Sequence, residues 1–413
     1  MSTNSSLWEK YKDKIYIFGH IYANIYGLVV INYIPTMPTR SFKHYLAVAY
    51  SHFISFVVII VLPLYFVYSI QHLVETKDRR WQLQLVVNFS NTLIKYCMVV
   101  VTYIANFVHY KDIRYITQHR QSLEDEFNRS SRGFVETPRK RFEFMLLFKF
   151  GLINAMMLVQ IGQILYEYFT DAHPVRVYFQ VYTFFLWNYT ENMADYFYFI
   201  NCSALKFYRQ LEQQLCGMLE ENNRCVAYRR RKARKRAGLI GHMCCMLSDR
   251  FDEFGKRYWQ IYDLYKDSIR LHQFQILGLI FTTLISNLTN LFTLFNLLFK
   301  NSLYPASGIV LNLIFAIIFY IDTYIVTMIS DQIENEVKTI KNTLKEFAEL
   351  PALDWRLEQT IENLSLSLIT FDGRFRICGL FYLDRHLTFL TAAAGLSYFI
   401  TLVQFDINWN NLK

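Results

Sequence analysis

Seven blocks of apolar residues, each long enough to cross a bilayer as a helix, constrain this chain more than any other feature. They fall at 44–69, 83–108, 142–169, 176–203, 272–299, 308–330 and 386–407, and a hydrocarbon core of about 30 Å takes about 20 helical residues. Inside lipid every backbone N–H and C=O must find its partner within the protein, so blocks of this length are helices. The expected fold class is all-α, a polytopic membrane protein with seven transmembrane helices. An eighth stretch, 15–34, carries His20, Asn24 and Asn32 among its apolar residues and is expected to lie at the interface. The opening MSTNSSLWEKYKDK lacks the basic-then-apolar order of a signal peptide, so the first span is expected to direct its own insertion.

Loop Lys and Arg set the orientation of such a bundle. Alternate segments 1–14, 35–43, 109–141, 204–271 and 331–385 hold thirty-five of them, and the other side holds six. The N-terminus is therefore expected in the cytoplasm and the C-terminus outside, opposite to a G-protein-coupled receptor. The expected organisation is a cytoplasmic N-terminus with its interfacial helix (1–43), spans one to four (44–203), a basic cytoplasmic segment (204–271), spans five and six (272–330), cytoplasmic anchor helices (331–385), the seventh span (386–407) and an extracellular tail (408–413). All seven cysteines fall in spans or cytoplasmic segments on this plan, so no extracellular disulfide is expected.

No breaker follows the fourth span, which is expected to run on through Tyr208, Leu211 and Leu215, and the fifth is expected to begin early, through Phe254, Trp259 and Tyr262. Ile333, Val337, Ile340, Leu344 and Phe347, then Leu353, Leu357, Ile361, Leu364 and Leu368, repeat at helical spacing below the sixth span. Helices that overrun the bilayer on one side pack into an anchor bundle of the kind that holds subunits together. The run Arg229 to Arg236 is a solvated loop or a contact for anionic lipid headgroups. Nucleic acid is not an expected partner of a polytopic chain.

Several polar groups fall where lipid would want none. Lys95, Lys149, Glu191, Asp195 and Asp322 lie within spans, and each costs several kcal/mol unless paired or hydrated. They are either structural ion pairs or the lining of a wet cavity. Asn91, Gln163, Tyr166, Tyr182, Trp187, Tyr189, Phe315 and Phe319 occupy the outer halves of the spans. That mixture of rings and a few amides suits a pocket for a small organic ligand, although rings also gather at membrane interfaces. In the last span Ser397, Thr401 and Gln404 share about 60° of arc with Leu390 on the same line. The stripe serves either helix–helix hydrogen bonds or a water-filled pore, with Leu390 and Ile400 as apolar constrictions. Tyr398 and Phe405 flank it, placed to pack on a neighbouring helix.

Catalysis has no motif behind it. There is no G-x-S-x-G, no H-E-x-x-H and no phosphate-cradling glycine loop, and His242, Cys244 and Cys245 match no zinc spacing. No enzyme activity, cofactor or metal is expected.

The run Ser397-Tyr398-Phe399-Ile400-Thr401-Leu402-Val403-Gln404-Phe405 resembles the signature of insect gustatory receptors, Thr-Tyr, five hydrophobic residues, Gln-Phe, with Ser397 in place of the threonine and Thr401 among the hydrophobics. Gly373 to Leu383, GRFRICGLFYL, is similar to that family's approach to its last helix. The resemblance implies a ligand-gated cation channel of the plasma membrane of sensory neurons, a homo- or hetero-tetramer with other such subunits, embedded in membrane lipid. It further implies that the seventh helix lines the pore and that a small-molecule tastant binds in the outer part of each subunit. Aromatic walls favour flat or amine-bearing bitter compounds over sugars, whose hydroxyls need many polar partners. Insect odorant receptors share the inverted plan and lack the Tyr-to-Gln-Phe spacing.

Overall fold

A computed structural model of the chain describes residues 14, 17–19, 21–28, 42–75, 79–130, 136–169, 174–231, 237–299, 306–348, 355–370 and 375–411. After helical residues within 17–25 come α1 (Phe42–Glu75), α2 (Arg79–Val108), α3 (Tyr110–Ser130), α4 (Glu136–Phe169), α5 (Pro174–Arg231) and α6 (Ala237–Phe299). Then follow α7 (Ala306–Ala348), α8 (Trp355–Thr370), a hairpin of β1 (Arg376–Ile377) and β2 (Phe381–Tyr382), and α9 (Arg385–Asn411).

Helices α5 and α6 contain 58 and 63 residues, about 87 and 95 Å at 1.5 Å per residue. Each is about three times as long as the hydrocarbon layer is thick. Past Pro174 neither holds a proline, so nothing in the backbone interrupts them. Both overrun the apolar layer at the end that carries most of the Lys and Arg, here called the basic end, and α7 overruns there too. The expected pattern fills this extension. Tyr208, Leu211, Leu215, Phe254, Tyr262, Ile333, Val337, Ile340, Leu344 and Phe347 are buried, and α8 adds Leu357, Ile361, Leu364 and Leu368. Leu353 lies outside the described residues. Phe251 meets Phe347 edge-on at 4.9 Å, Tyr208 meets Tyr258 at 5.7 Å, and Gly255 lets α8 close in, since a Cβ there would stand 3.2 Å from Leu364 Cδ1.

Helix α3 was not expected as an element. Ile113, Ile116, Leu123 and Phe127 are its buried face, spaced three, seven and four apart, which is a helical signal inside a segment read only for its charge. Phe127 stacks on Phe207 at 5.4 Å, and Glu124 receives Lys206 Nζ at 2.7 Å.

Among the described residues, six helices are long and apolar enough to cross a membrane, with segments Val48–His72, Gln82–Val108, Arg141–Tyr166, Gly241–Asn296, Val310–Phe347 and Arg385–Asn408. The seventh expected span, 176–203, is not among them because Asn188, Thr190, Glu191, Asn192 and Asp195 lower its apolarity. Its surroundings explain this. Asn188, Thr190, Asn192, Tyr198 and Asn201 are buried among other helices, so protein rather than lipid is the solvent of this stretch. Lipid gives apolar helices little reason to associate, and polar pairs supply some of the grip. Gln84 Nε2 donates to Thr293 Oγ1 at 2.7 Å, Asn296 Nδ2 donates to Gln84 Oε1 at 2.5 Å, and Asn188 Nδ2 donates to Gln160 Oε1 at 3.1 Å.

Of the stretch 15–34, described residues from Phe18 to Leu28 dock on α1, α4 and α5 beside residues of the spans themselves, Phe18 meeting Phe150 edge-on at 5.1 Å and Tyr50 Oη donating to Ile25 O at 3.1 Å. Tyr22 Oη donates to Asn188 Oδ1 at 3.0 Å, Tyr26 lies 5.0 Å from Phe185, and Ile17, Ile21 and Ile25 point outward on the opposite side. The hairpin was also unforeseen. Cys378 at φ +50° and Gly379 at φ +73° form its turn, closed by Leu380 N donating to Ile377 O at 2.9 Å. Two successive left-handed residues are what a tight hairpin asks for, and glycine accepts the second without strain.

The buried seam of the extension predicts a test. Ile340 is 0% exposed, so Ile340→Ala should cost about 2–5 kcal/mol and lower the thermal unfolding midpoint of the purified receptor. Leu366→Ala, at 64% exposed, should change stability by no more than about 0.5 kcal/mol.

Candidate ligand cavity and the uncovered helix

Asp384 starts α9 by accepting a hydrogen bond from Leu387 N at 2.9 Å on its Oδ1, the geometry of an N-cap. Two further bonds clamp this end to α7: Arg385 Nε meets Asp331 Oδ2 at 2.7 Å, and Thr388 Oγ1 donates to Thr327 Oγ1 at 2.6 Å. Beyond the clamp one side of α9 packs and the other does not. Gly395 and Asp406 are buried, a Cβ on Gly395 would stand 3.8 Å from Leu284 Cδ1, and Phe399 meets Phe295 edge-on at 6.1 Å. Ser397, Thr401 and Gln404 are exposed on the opposite side, with Leu390 and Ile400 beside them and Tyr398 and Phe405 on the flank. Thr401 Oγ1 donates back to Ser397 O at 3.0 Å, which satisfies its hydroxyl within the helix. The stripe thus faces away from the chain's own core.

Between α5, α6, α7 and the first turns of α9 lies a cavity. Trp187, Phe197 and Phe319 give it aromatic walls, Glu191 and Asp322 give it carboxylates, and Ser286, Thr323, Thr327, Thr388 and Thr391 add hydroxyls. Two of the expected ligand residues, Trp187 and Phe319, line it. Phe315 lies just behind, 5.2 Å from Trp187 and stacked on Phe319 at 6.4 Å. Asn91 Oδ1 accepts from the lining Ser286 Oγ at 3.0 Å.

The remaining four do not line it. Gln163 Nε2 donates to Asn312 Oδ1 at 3.3 Å, Tyr182 Oη donates to Val58 O at 3.4 Å, Tyr189 is buried in the main core, and Tyr166 on α4 is half-buried. The cavity extends from Trp187 down to Leu383 and Thr388, nearer the basic end than the outer-half set. Its hydroxyls went unremarked in the sequence, although Thr323 with Thr327, and Thr282 with Ser286, repeat four apart inside apolar spans.

Behind the cavity wall is the charged centre of the bundle. Lys149 Nζ of α4 stands 2.9 Å from Asp195 Oδ1 of α5 and 2.5 Å from Asp322 Oδ1 of α7. Lys95 of α2 places its Nζ 3.8 Å over the Trp187 ring, a cation–π contact.

A helical bundle of this span pattern, with an internal cavity reaching a helix uncovered on one side, is a multi-pass membrane receptor fold. The chain belongs to the 7tm chemosensory receptor family, which matches residues 18–408, and within it to the insect gustatory receptors. Gustatory receptor 10a of Drosophila melanogaster is 45% identical to it over 408 residues, covering 97% of each chain. Among solved structures, the olfactory receptor OR5 of Machilis hrabei in complex with eugenol superposes with a TM-score of 0.63 at 14% identity, over 96% of this chain and 99% of that one. The structure of the same receptor described without eugenol gives 0.60 at 13% identity, over 96% and 98%.

Removing Lys149 should strand two buried carboxylates. Lys149→Met is expected to cost about 3–5 kcal/mol, seen as loss of folded receptor in detergent. Adding Asp195→Asn and Asp322→Asn to Lys149→Met should restore much of it, as measured by thermal unfolding.

Proposed function

We propose that this chain is a gustatory receptor subunit of a ligand-gated, non-selective cation channel, opened by a small organic tastant of bitter or aversive kind. The observation that carries the reading is the line Ser397, Thr401, Gln404 on the uncovered side of α9, turned away from the buried Gly395 and Asp406. A polar row at membrane depth needs water or a partner. Four copies set around an axis would give those residues a shared aqueous pore, with Leu390 and Ile400 as rings that gate by dewetting. Tyr398 and Phe405 then pack between neighbouring subunits. The tastant binds in the cavity or the outer-half pocket above it, and movement there reaches α9 through Leu387, Thr388 and Thr391 in the cavity wall.

The basic end is the cytoplasmic one in this reading, with the extension as the anchor bundle and the plasma membrane of sensory neurons as its location. An N-terminal tag should be hidden, and a C-terminal tag accessible, on intact cells. The opposite pattern overturns the orientation and returns the chain to a G-protein-coupled plan.

Gln404→Ala is exposed and should leave folding and surface expression within about 0.5 kcal/mol of the parent. It should alter single-channel conductance or ion selectivity, read by patch recording. Unchanged permeation would remove Gln404 from the pore.

A further inference from the structure

We propose that the cavity between α5, α6, α7 and α9 binds a protonated organic amine, with the Glu191 carboxylate as its counter-ion and the Trp187, Phe197 and Phe319 rings as its walls. This rests on the receptor reading above and names the ligand class and the residue that selects it. Glu191 lines the cavity and makes no hydrogen bond or ion pair with any described residue. An ionised carboxylate in such surroundings needs a cation.

The two nearby lysines act on Glu191 through space, and neither sits in ion-pair contact with it. Lys149 is held between Asp195 and Asp322, and Lys95 lies on Trp187. With all of these groups ionised, three carboxylates stand against two ammonium groups, so one positive charge completes the set. Three lining residues also leave buried polar atoms without hydrogen-bond partners among the described residues: Trp187 Nε1, Asn201 Oδ1 and Thr282 Oγ1. Orphans of that kind are costly unless a guest or water supplies the bond.

The walls decide what sort of cation fits. An inorganic ion asks for a shell of oxygens, whereas this lining is mainly rings and aliphatic chains, which favour an ammonium group carried on an apolar body. An amine seated on Glu191 has its apolar body directed along the lining toward Leu387 and Thr391, the first turns of α9.

The test uses the full-length receptor in lipid nanodiscs and a panel of primary arylalkylamines, from benzylamine to tryptamine, each beside the alcohol of the same carbon skeleton. Thermal stabilisation measures binding. At least one amine should stabilise the parent receptor while its alcohol does not, and Glu191→Gln should weaken that amine at least about ten-fold, the size of one charge-assisted hydrogen bond. Glu191→Asp should keep part of the effect. Should Glu191→Gln not fold, Ala194→Phe, which fills the cavity from α5 without touching a charge, should abolish amine binding.

Stabilisation by no amine, equal stabilisation by the matching alcohols, amine affinity unchanged in Glu191→Gln, or amine binding kept in Ala194→Phe would each overturn the proposal. Currents separate this site from the channel itself. Amine binding without current sinks the channel reading and leaves the site, whereas currents evoked by neutral compounds and unchanged in Glu191→Gln leave the channel intact.

Discussion

One lysine between two aspartates sets the arrangement of the membrane bundle. Lys149, Asp195 and Asp322 come from α4, α5 and α7, and their side chains are at most 10% exposed. Each charge is tolerable there only because the others are within reach, so three helices must meet at one depth and in one rotation. Apolar side chains alone would not enforce this, because lipid solvates them nearly as well as a neighbouring helix does. With α5 fixed in the middle, its polar stretch from Asn188 to Asn201 is shielded by protein, and the cavity takes form beside it.

The architecture was largely readable in the order of residues. The long apolar blocks, the absence of breakers after Cys202 and before Leu277, and the helical spacing of Ile333 to Phe347 all correspond to what is seen. Helix α3 was readable and overlooked, since the charges of 109–141 hid the spacing of Ile113, Ile116, Leu123 and Phe127. The hairpin at Arg376–Tyr382 was not readable in the same way. Its turn puts Cys378, a residue with a Cβ, into left-handed backbone, and no periodicity announces a pairing two residues long.

The candidate site was legible in part, for a physical reason. Trp187 and Phe319 stand out as rings among amides, and both reach the cavity. The rest do not line it, because a residue's distance from the end of a span says nothing about which side of the helix it occupies. Tyr182 and Tyr189 turn into the main core, and Gln163 turns to Asn312. Glu191 and Asp195 are four apart on one face of α5, yet of the two only Asp195 meets Lys149. A shift of four residues along a helix brings a side chain to the same face one turn away, and one turn of about 5.4 Å separates an ion pair from an open cavity.

The unbroken length of α5 and α6 has a mechanical consequence. A helix that continues from cavity wall to extension without a proline behaves as a lever whose pivot is wherever the packing is tightest. A tilt of about 5° imposed at the cavity becomes a displacement of about 4 Å some 45 Å further along such a rod. The extension is then the place where small adjustments among the spans become largest, and also where they meet the most resistance from buried Ile340, Leu344 and Leu364. Stiffness at that end keeps the far ends of the spans in register, and α9, joined through a short hairpin rather than a continuous helix, is tied to that frame by its bonds to Asp331 and Thr327.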